Sequence, residues 1–520
     1  MQITANPTSF TPNNSLLEIT KNVDEPKLPD TSTANPPSAI VTFTGPSKPS
    51  DTYEPPRLVN VVQIRSAQAK GVASVAVNQS LISELSSLST SRSPFSTSSF
   101  FNQIGALSRE TNQYRNDARS QQMASTKATD KLKLDFEAYE GKPKSTVTLR
   151  IRTKDGDNID VKIQHSSGLL GDSLEFSFNV EGKLSKDEQD ALEKLARKLG
   201  DIADDFFRTG TTQLHGLKEF DQAQLKDFKI EFSKAKTIDT YTTASYEYSV
   251  DEAKQTQTLR AKDGDGYSFD ITADLQSLLG EANSSFHQAL ESYLEVIRKT
   301  LNEHQPLQQE HFNSASLRFV IDGLTSLLAP KTAADKTPAD SPAEKAIAAF
   351  DTGLPDFTAV ISAPLLMLYK PEHQLIIPES MTLRLEQRTE TALNDKGGLL
   401  IKQVNSFERQ SREIEGVVGT DNGDLTRGNF TYKTIHEKQE MSRILDVMES
   451  GMKSMIEDFN SSMDTKIETY ANFYLVDVKT DPKQERKLTQ LVNDIQNHNQ
   501  LQQELNTLKA LSETKQNLFH

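Results

Sequence analysis

The sequence predicts an α+β protein: antiparallel sheets with packed amphipathic helices, a long disordered N-terminal arm and a C-terminal helix. Three observations carry this. Strand-like runs of period two follow one another between residues 146 and 271, joined by Asp-Gly turns. Helical periods are grouped rather than strictly alternating with strands, which favours antiparallel pairing over a parallel α/β sheet. The first 128 residues are rich in Ser, Thr, Asn and Pro, whereas Asp481 to Phe519 repeats leucines at helical steps. The expected organisation is an arm over 1–128, an α+β domain of unknown function over 129–328, a Pro/Ala linker over 329–348, a second β-rich α+β domain over 349–480 and an amphipathic helix over 481–520.

In the arm, Pro36-Pro37 and Pro55-Pro56 break the chain, and its periodic apolar surface is too sparse to offset the entropy of ordering. Two islands interrupt it. Leu58 to Ile64 is strand-like, and Val77, Leu81, Leu85 and Leu88 share one helical face. A helix this short is marginal alone, so it either docks on the chain's own body or folds onto a partner.

The clearest stretch is Leu174 to Phe207. Leu174, Phe176, Phe178 and Val180 alternate with polar residues and face one side of a strand. Glu181-Gly182 breaks that strand, and Ser185 with Glu188 three residues on forms a capping box. Leu192, Leu195, Leu199, Ile202 and Phe206 then draw an apolar stripe along a helix that Gly210 is placed to end. Upstream, Thr146 to Ile151 and Ile159 to Ile163 flank Lys154-Asp155-Gly156-Asp157, a hairpin signal. Thr258-Leu259-Arg260 with Lys262-Asp263-Gly264-Asp265 echoes it, through a duplicated unit or through common turn chemistry.

Phe228, Ile230 and Phe232, then Tyr246, Tyr248 and Val250, mark further strands. Phe286, Leu290, Tyr293, Leu294, Ile297 and Leu301 predict a second amphipathic helix, and Leu317 to Leu328 a third. Ala329 to Ala346 has linker composition. Beyond it, Phe357 to Ile361, Met381 to Thr389, Leu399 to Phe407 and Phe430 to Ile435 read as strands with one wet face. Ile444, Leu445, Met448, Met452, Met455, Ile456 and Phe459 predict a helix, its methionines acting as core or contact surface. Leu488, Leu491, Ile495, His498, Leu501, Leu505 and Leu508 predict the last one, a coiled-coil segment with a stammer near His498 or a helix packed on its own domain.

Composition excludes several classes of function. The chain of 520 residues has a net charge of -15, which disfavours nucleic acid and acidic membrane surfaces. It contains no cysteine, so disulfides, thiolate catalysis and cysteine-ligated metals are ruled out. The start lacks a basic segment followed by an apolar core, and no run approaches the ~18 apolar residues of a span. A cytoplasmic protein, or one exported by a route that needs no signal peptide, is therefore expected.

No reaction centre stands out. Asp155, Asp157 and Asp160, and Asp263, Asp265 and Asp270, have the oxygen-rich spacing calcium favours, but Tyr267 and Ser268 break the EF-hand pattern and turn chemistry explains the acids. His304 and His311 are not four residues apart, and His436-Glu437 lacks a second histidine. No phosphate loop, dinucleotide fingerprint or nucleophile elbow is present. No catalytic, cofactor-binding or metal residue, and no cofactor, is assigned.

The hairpin at Asp155-Gly156-Asp157, followed by Phe176-x-Phe178-x-Val180-Glu181-Gly182-x-Leu184 and a helix ending Ile202-Ala203-Asp204-Asp205-Phe206-Phe207, resembles a domain of unknown function in uncharacterised gammaproteobacterial proteins, over about 130–235. Arg208-Thr209-Gly210 departs from the glycine and acid that follow the paired Phe in that family. The resemblance implies a bacterial protein of mixed fold and carries no activity. The function expected is that of a non-enzymatic interaction or structural protein, with partners or self-association through 77–88 and 481–519. The other class left open is a carboxylate- or divalent-cation-dependent hydrolase.

Overall fold

The computed structural model describes residues 57–65, 71–90, 94–125, 134, 141–169, 171–211, 223–237, 239–275, 286–303, 314–328, 341–394, 397–416 and 428–492, all within the unit Pro56–His520. Its strands are β1 (Arg57–Ile64), β2 (Gln113–Ser125), β3 (Lys142–Thr153), β4 (Asn158–Gly168), β5 (Gly171–Glu181), β6 (Leu225–Ala235), β7 (Tyr241–Asp251), β8 (Thr256–Lys262), β9 (Ser268–Asp274), β10 (Phe357–Ser362), β11 (Leu366–Lys370), β12 (Leu375–Leu393), β13 (Leu399–Gly416), β14 (Phe430–Met448), β15 (Gly451–Ala471) and β16 (Tyr474–Val492). The helices are α1 (Val72–Thr90), α2 (Ser98–Glu110), α3 (Lys186–Thr209), α4 (Phe286–Glu303), α5 (Ser314–Leu328) and α6 (Pro342–Phe350).

These strands join one antiparallel sheet in the order β1-β2-β5-β4-β3-β6-β7-β8-β9-β10-β12-β13-β14-β15-β16, with β11 against β12. This corrects the α+β expectation. Strands hold 56% of the described residues and helices 28%, so the protein is a long sheet carrying helices on one face. From β6 onward each strand pairs with its successor, apart from the β11 detour, and β9 pairs with β10 across the stretch expected to be a linker. Part of that stretch is α6, with a capping box at Ser341 and Glu344 and Pro342 in its first turn.

Period two sets which face is buried. Phe176, Val161, Leu149, Ile230, Tyr246, Ala261, Phe269, Ile361 and Leu383 are all buried, in one cluster with α1 to α5. Residues between them point to the opposite, wet face. Helix α3 is as expected: Ser185 accepts from Glu188 N, Glu188 reaches back to Ser185 N, and Gly210 ends it with φ 82°. It links β5 to β6, which lies beyond β4 and β3, and so crosses the sheet.

The arm reading is corrected from residue 57 onward, while residues 1–56 lie outside the described part. Val77, Leu81 and Leu85 are fully buried, so this face of α1 docks on the chain's own body. Carboxylates close the helix ends. Glu110 accepts from Ala73 N at 2.7 Å and Ser74 N at 3.1 Å at the start of α1. Burial pushes this carboxyl up, but the donors from Ala73, Ser74 and Val72 outweigh it and hold the group below the usual range. Asp204 of α3 does the same for α2, taking Thr97 N, Ser98 N at 3.3 Å and the hydroxyls of Ser96 and Thr97 at 2.8 and 2.9 Å. Strand β2 was missed because its inward residues include Asn116 and Ser120, and Asn116 Nδ2 donates to Asn78 Oδ1 at 2.6 Å.

The two Asp-Gly turns are both hairpins, yet they are two residues out of step. Thr153 N donates to Asp157 O and Gly156 N to Thr153 O; Asp263 N donates to Tyr267 O and Gly266 N to Asp263 O. The left-handed glycines are Gly156 (φ 100°) and Gly266 (φ 95°). Gly156 thus corresponds to Gly266, not to Gly264, so the Lys-Asp-Gly-Asp part of the echo reflects shared turn chemistry, whereas Thr148-Leu149-Arg150 and Thr258-Leu259-Arg260 do take equivalent places, with Arg150 opposite Asp160 and Arg260 opposite Asp270. Thr153 Oγ1 and Asp263 Oδ1 take the same role, accepting from Asp157 N at 3.1 Å and Tyr267 N at 2.8 Å.

Two expected helices are strands. The residues from Ile444 to Phe459 form the β14–β15 hairpin, in which Met448 faces Gly451 across Glu449-Ser450. The C-terminal helix and coiled coil fail over Asp481 to Val492, which belong to β16; residues 493–520 lie outside the described part.

Candidate interaction surface

The face opposite the helices is a field of paired charges. One row crosses ten strands as Asp160, Arg150, Lys229, Glu247, Arg260, Asp270, Val360, Arg384, Glu408 and Lys438, each opposite the next. Opposite charges at such positions stabilise a sheet by about 0.2–1 kcal/mol per pair. Arg260 bridges Asp270 at 2.8 Å and Glu247 at 3.4 Å, and these acids hold its guanidinium above its ordinary range. A shallow depression of about 540 Å³ around Arg150, Arg152, Asp160, Asp227 and Lys229 lies on this face. Its carboxylates answer neighbouring cations, as in Arg152 Nε to Asp227 at 2.9 Å and Arg150 to Asp160 at 3.6 Å.

Elsewhere two carboxyls depart upward from their ordinary range near one another. Burial pushes up both Asp274, at the end of β9, and Asp356, before β10, and Asp274 N donates to Asp356 O at 2.8 Å. Asp356 Oδ2 also accepts from Thr389 N at 2.6 Å, so it straps the start of β10 to β12. On the helix side of the longer strands lies a buried polar belt. Arg443 is sunk beneath α6, where desolvation lowers its pKa; it donates to Gln403 and to Phe350 O at 3.3 Å, and stacks on the Phe350 ring at 4.8 Å.

The far end of the sheet is different. Among the described residues β16 has one neighbour, β15, and shows the rest of its length to solvent. Val476, at the point where the register against β15 shifts, is 59% exposed, and Leu488 is 62% exposed. Pro482 sits opposite Asp464 in the middle. A residue without an N–H stays in an edge strand where that position faces outward, so the even-numbered residues around Pro482 present their N–H and C=O groups away from β15. The odd-numbered residues Asp477, Lys479, Asp481, Lys483, Glu485 and Lys487 alternate in charge. Lys479 bridges Asp477 at 3.6 Å and Lys483 bridges Asp481 at 3.2 Å within the strand.

The residues singled out in the sequence do not converge. Asp263 serves its own turn, and Asp160 and Asp270 lie in the charge row on different strands. His436 Nε2 contacts Glu408 Oε1 at 3.1 Å on the wet face. His304 and His311 lie outside the described residues. Among those described, no three His, Asp or Glu are grouped to hold a metal ion, and no helix is long and apolar enough to cross a membrane. Met452 and Met455 are buried against Phe350, as core residues of a strand rather than a helix. The segment 77–88 is largely consumed by the core. The β16 edge went unread, although its strict alternation of charge from Asp477 to Lys487 is a strand signal. The chain matches no family model, no curated protein and no solved structure.

Proposed function

We propose that this chain is a non-enzymatic interaction or structural protein whose working surface is the β16 edge. The observation that carries the reading is a strand of 19 residues with a single described neighbour and exposed Val476, Val478 and Leu488. An uncovered edge offers a row of backbone donors and acceptors, and adding a strand to it is a common mode of protein recognition. The charged face contributes solubility and stiffness. The resemblance of 130–235 to gammaproteobacterial proteins fits a bacterial setting, in the cytoplasm or after export without a signal peptide.

Photo-crosslinking tests this. A photoreactive residue placed at Val476 or Leu488 should yield protein adducts in the native host, while one at Leu393, 78% exposed at the end of β12, should yield few. Absence of adducts from both β16 positions would defeat the reading.

A further inference from the structure

We propose that the partner of β16 is β16 of a second copy of this chain, paired antiparallel about a two-fold axis through Pro482. The inference rests on the reading of β16 as the working edge and adds the identity of what covers it. Its basis is the charge order of the strand. Reading outward from Pro482, the odd-numbered residues are Asp481, Lys479 and Asp477 on one side and Lys483, Glu485 and Lys487 on the other. A two-fold axis at Pro482 therefore sets Asp481 against Lys483, Lys479 against Glu485 and Asp477 against Lys487, each occurring twice. On the other face it sets Thr480 against Gln484 and Val478 against Arg486.

Other registers are worse. Moving the axis to Asp481 places Lys479 opposite Lys483 and Asp477 opposite Glu485; moving it to Lys483 places Lys479 opposite Lys487 and Asp481 opposite Glu485. Moving it by two residues breaks one of the three charge pairs. Pro482 removes the same two N–H donors whether it lies on the axis or away from it, because each copy brings one proline. Charge thus selects the register. The same charges keep unrelated edges from pairing indiscriminately.

Such an interface is isologous: every contact occurs twice, so one substitution acts twice. Sedimentation of the full chain from about 1 to 100 µM should show a monomer–dimer equilibrium that weakens as salt screens the pairs. D481K sets like charge against Lys483 of the other copy, and K483D does so against Asp481. Either variant should weaken the dimer roughly tenfold or more. Mixing the two variants in equal amounts pairs like-charge failures with their complements and should restore a mixed dimer, a result that loss of the bridge within the strand cannot produce. Both sites are exposed, and unchanged circular dichroism should accompany them.

A monomer at all concentrations overturns the inference, and so does a dimer that neither variant weakens, or one that mixing does not restore. Adducts of Val476 with a different protein, together with a monomeric chain, would remove this inference and leave the proposed function standing. Absence of both adducts and dimer would remove the two together.

Discussion

Asp204 lies near the C-terminal end of α3, yet its carboxylate closes the start of α2 by accepting from Thr97 N and Ser98 N and from nearby hydroxyls. Asp204→Ala removes those acceptors from a half-buried site. Loss of a helix cap costs about 0.5–2 kcal/mol. Hydroxyl donors of Ser96 and Thr97 lose a charged acceptor, and each such bond contributes about 1 kcal/mol or more net. Because the bonds share one carboxylate they are not additive, and about 2–4 kcal/mol is expected in all. Asp205, the next residue, pairs at the surface with Arg208, so Asp205→Ala should fall within about 0.5 kcal/mol of the parent. Urea unfolding gives the difference in stability, and hydrogen exchange at Thr97 and Ser98 locates it. Equal effects of the two substitutions would refute the capping role of Asp204.

Further outcomes follow from the same contacts. Gly264→Ala drives a methyl group into the backbone carbonyl of Gly210, so it should destabilise by about 2–4 kcal/mol, whereas Gly156→Ala meets nothing and incurs only the strain of φ 100°, about 1 kcal/mol, as thermal unfolding can compare. Burial raises the Asp274 carboxyl above its ordinary 3.8, so the folded state binds that proton more tightly than the unfolded one. Its stabilisation is complete below that value and lost as pH rises through the raised pKa. Asp274→Asn should therefore gain stability relative to the parent between about pH 4 and pH 7, in melts taken across that range. Arg443→Met keeps volume beneath α6 and removes a desolvated charge, so it should stay within about 1 kcal/mol of the parent, against about 2–4 kcal/mol lost in Arg443→Ala.

Legibility tracked how local the determining interactions are. The strand from Leu174 to Val180, the Ser185–Glu188 capping box and the Gly210 stop depend on neighbours in sequence, and all stand as read. Helix α2 also carried a signal, since Phe100, Phe101, Ile104 and Leu107 keep a helical spacing, but Ser- and Thr-rich surroundings masked it. Strands β14 to β16 are another matter. Each runs 19 to 21 residues, and among the described helices only α6 covers part of them, over Leu445, Val447, Met452 and Met455, so along much of the rest the alternation of apolar with polar fades. Ile444, Met448, Met452, Met455 and Phe459 then mimic a helical stripe by chance. What makes them strands is pairing across β13, β14 and β15, a fact written in no single segment. The β16 surface was hidden for the same reason: leucines beyond residue 488 set a helical frame that extended too far back.

The claim that β16 is the covered working edge in the cell is tested most directly by hydroxyl-radical footprinting of Val476, Val478 and Leu488, in the purified dilute chain and in the native host. Leu365 and Leu393 serve as exposed references. Strong labelling of all five in the dilute chain, with loss of labelling in the host confined to the three β16 positions, is the predicted result. Labelling of Val476, Val478 and Leu488 that matches the references in both settings would contradict it.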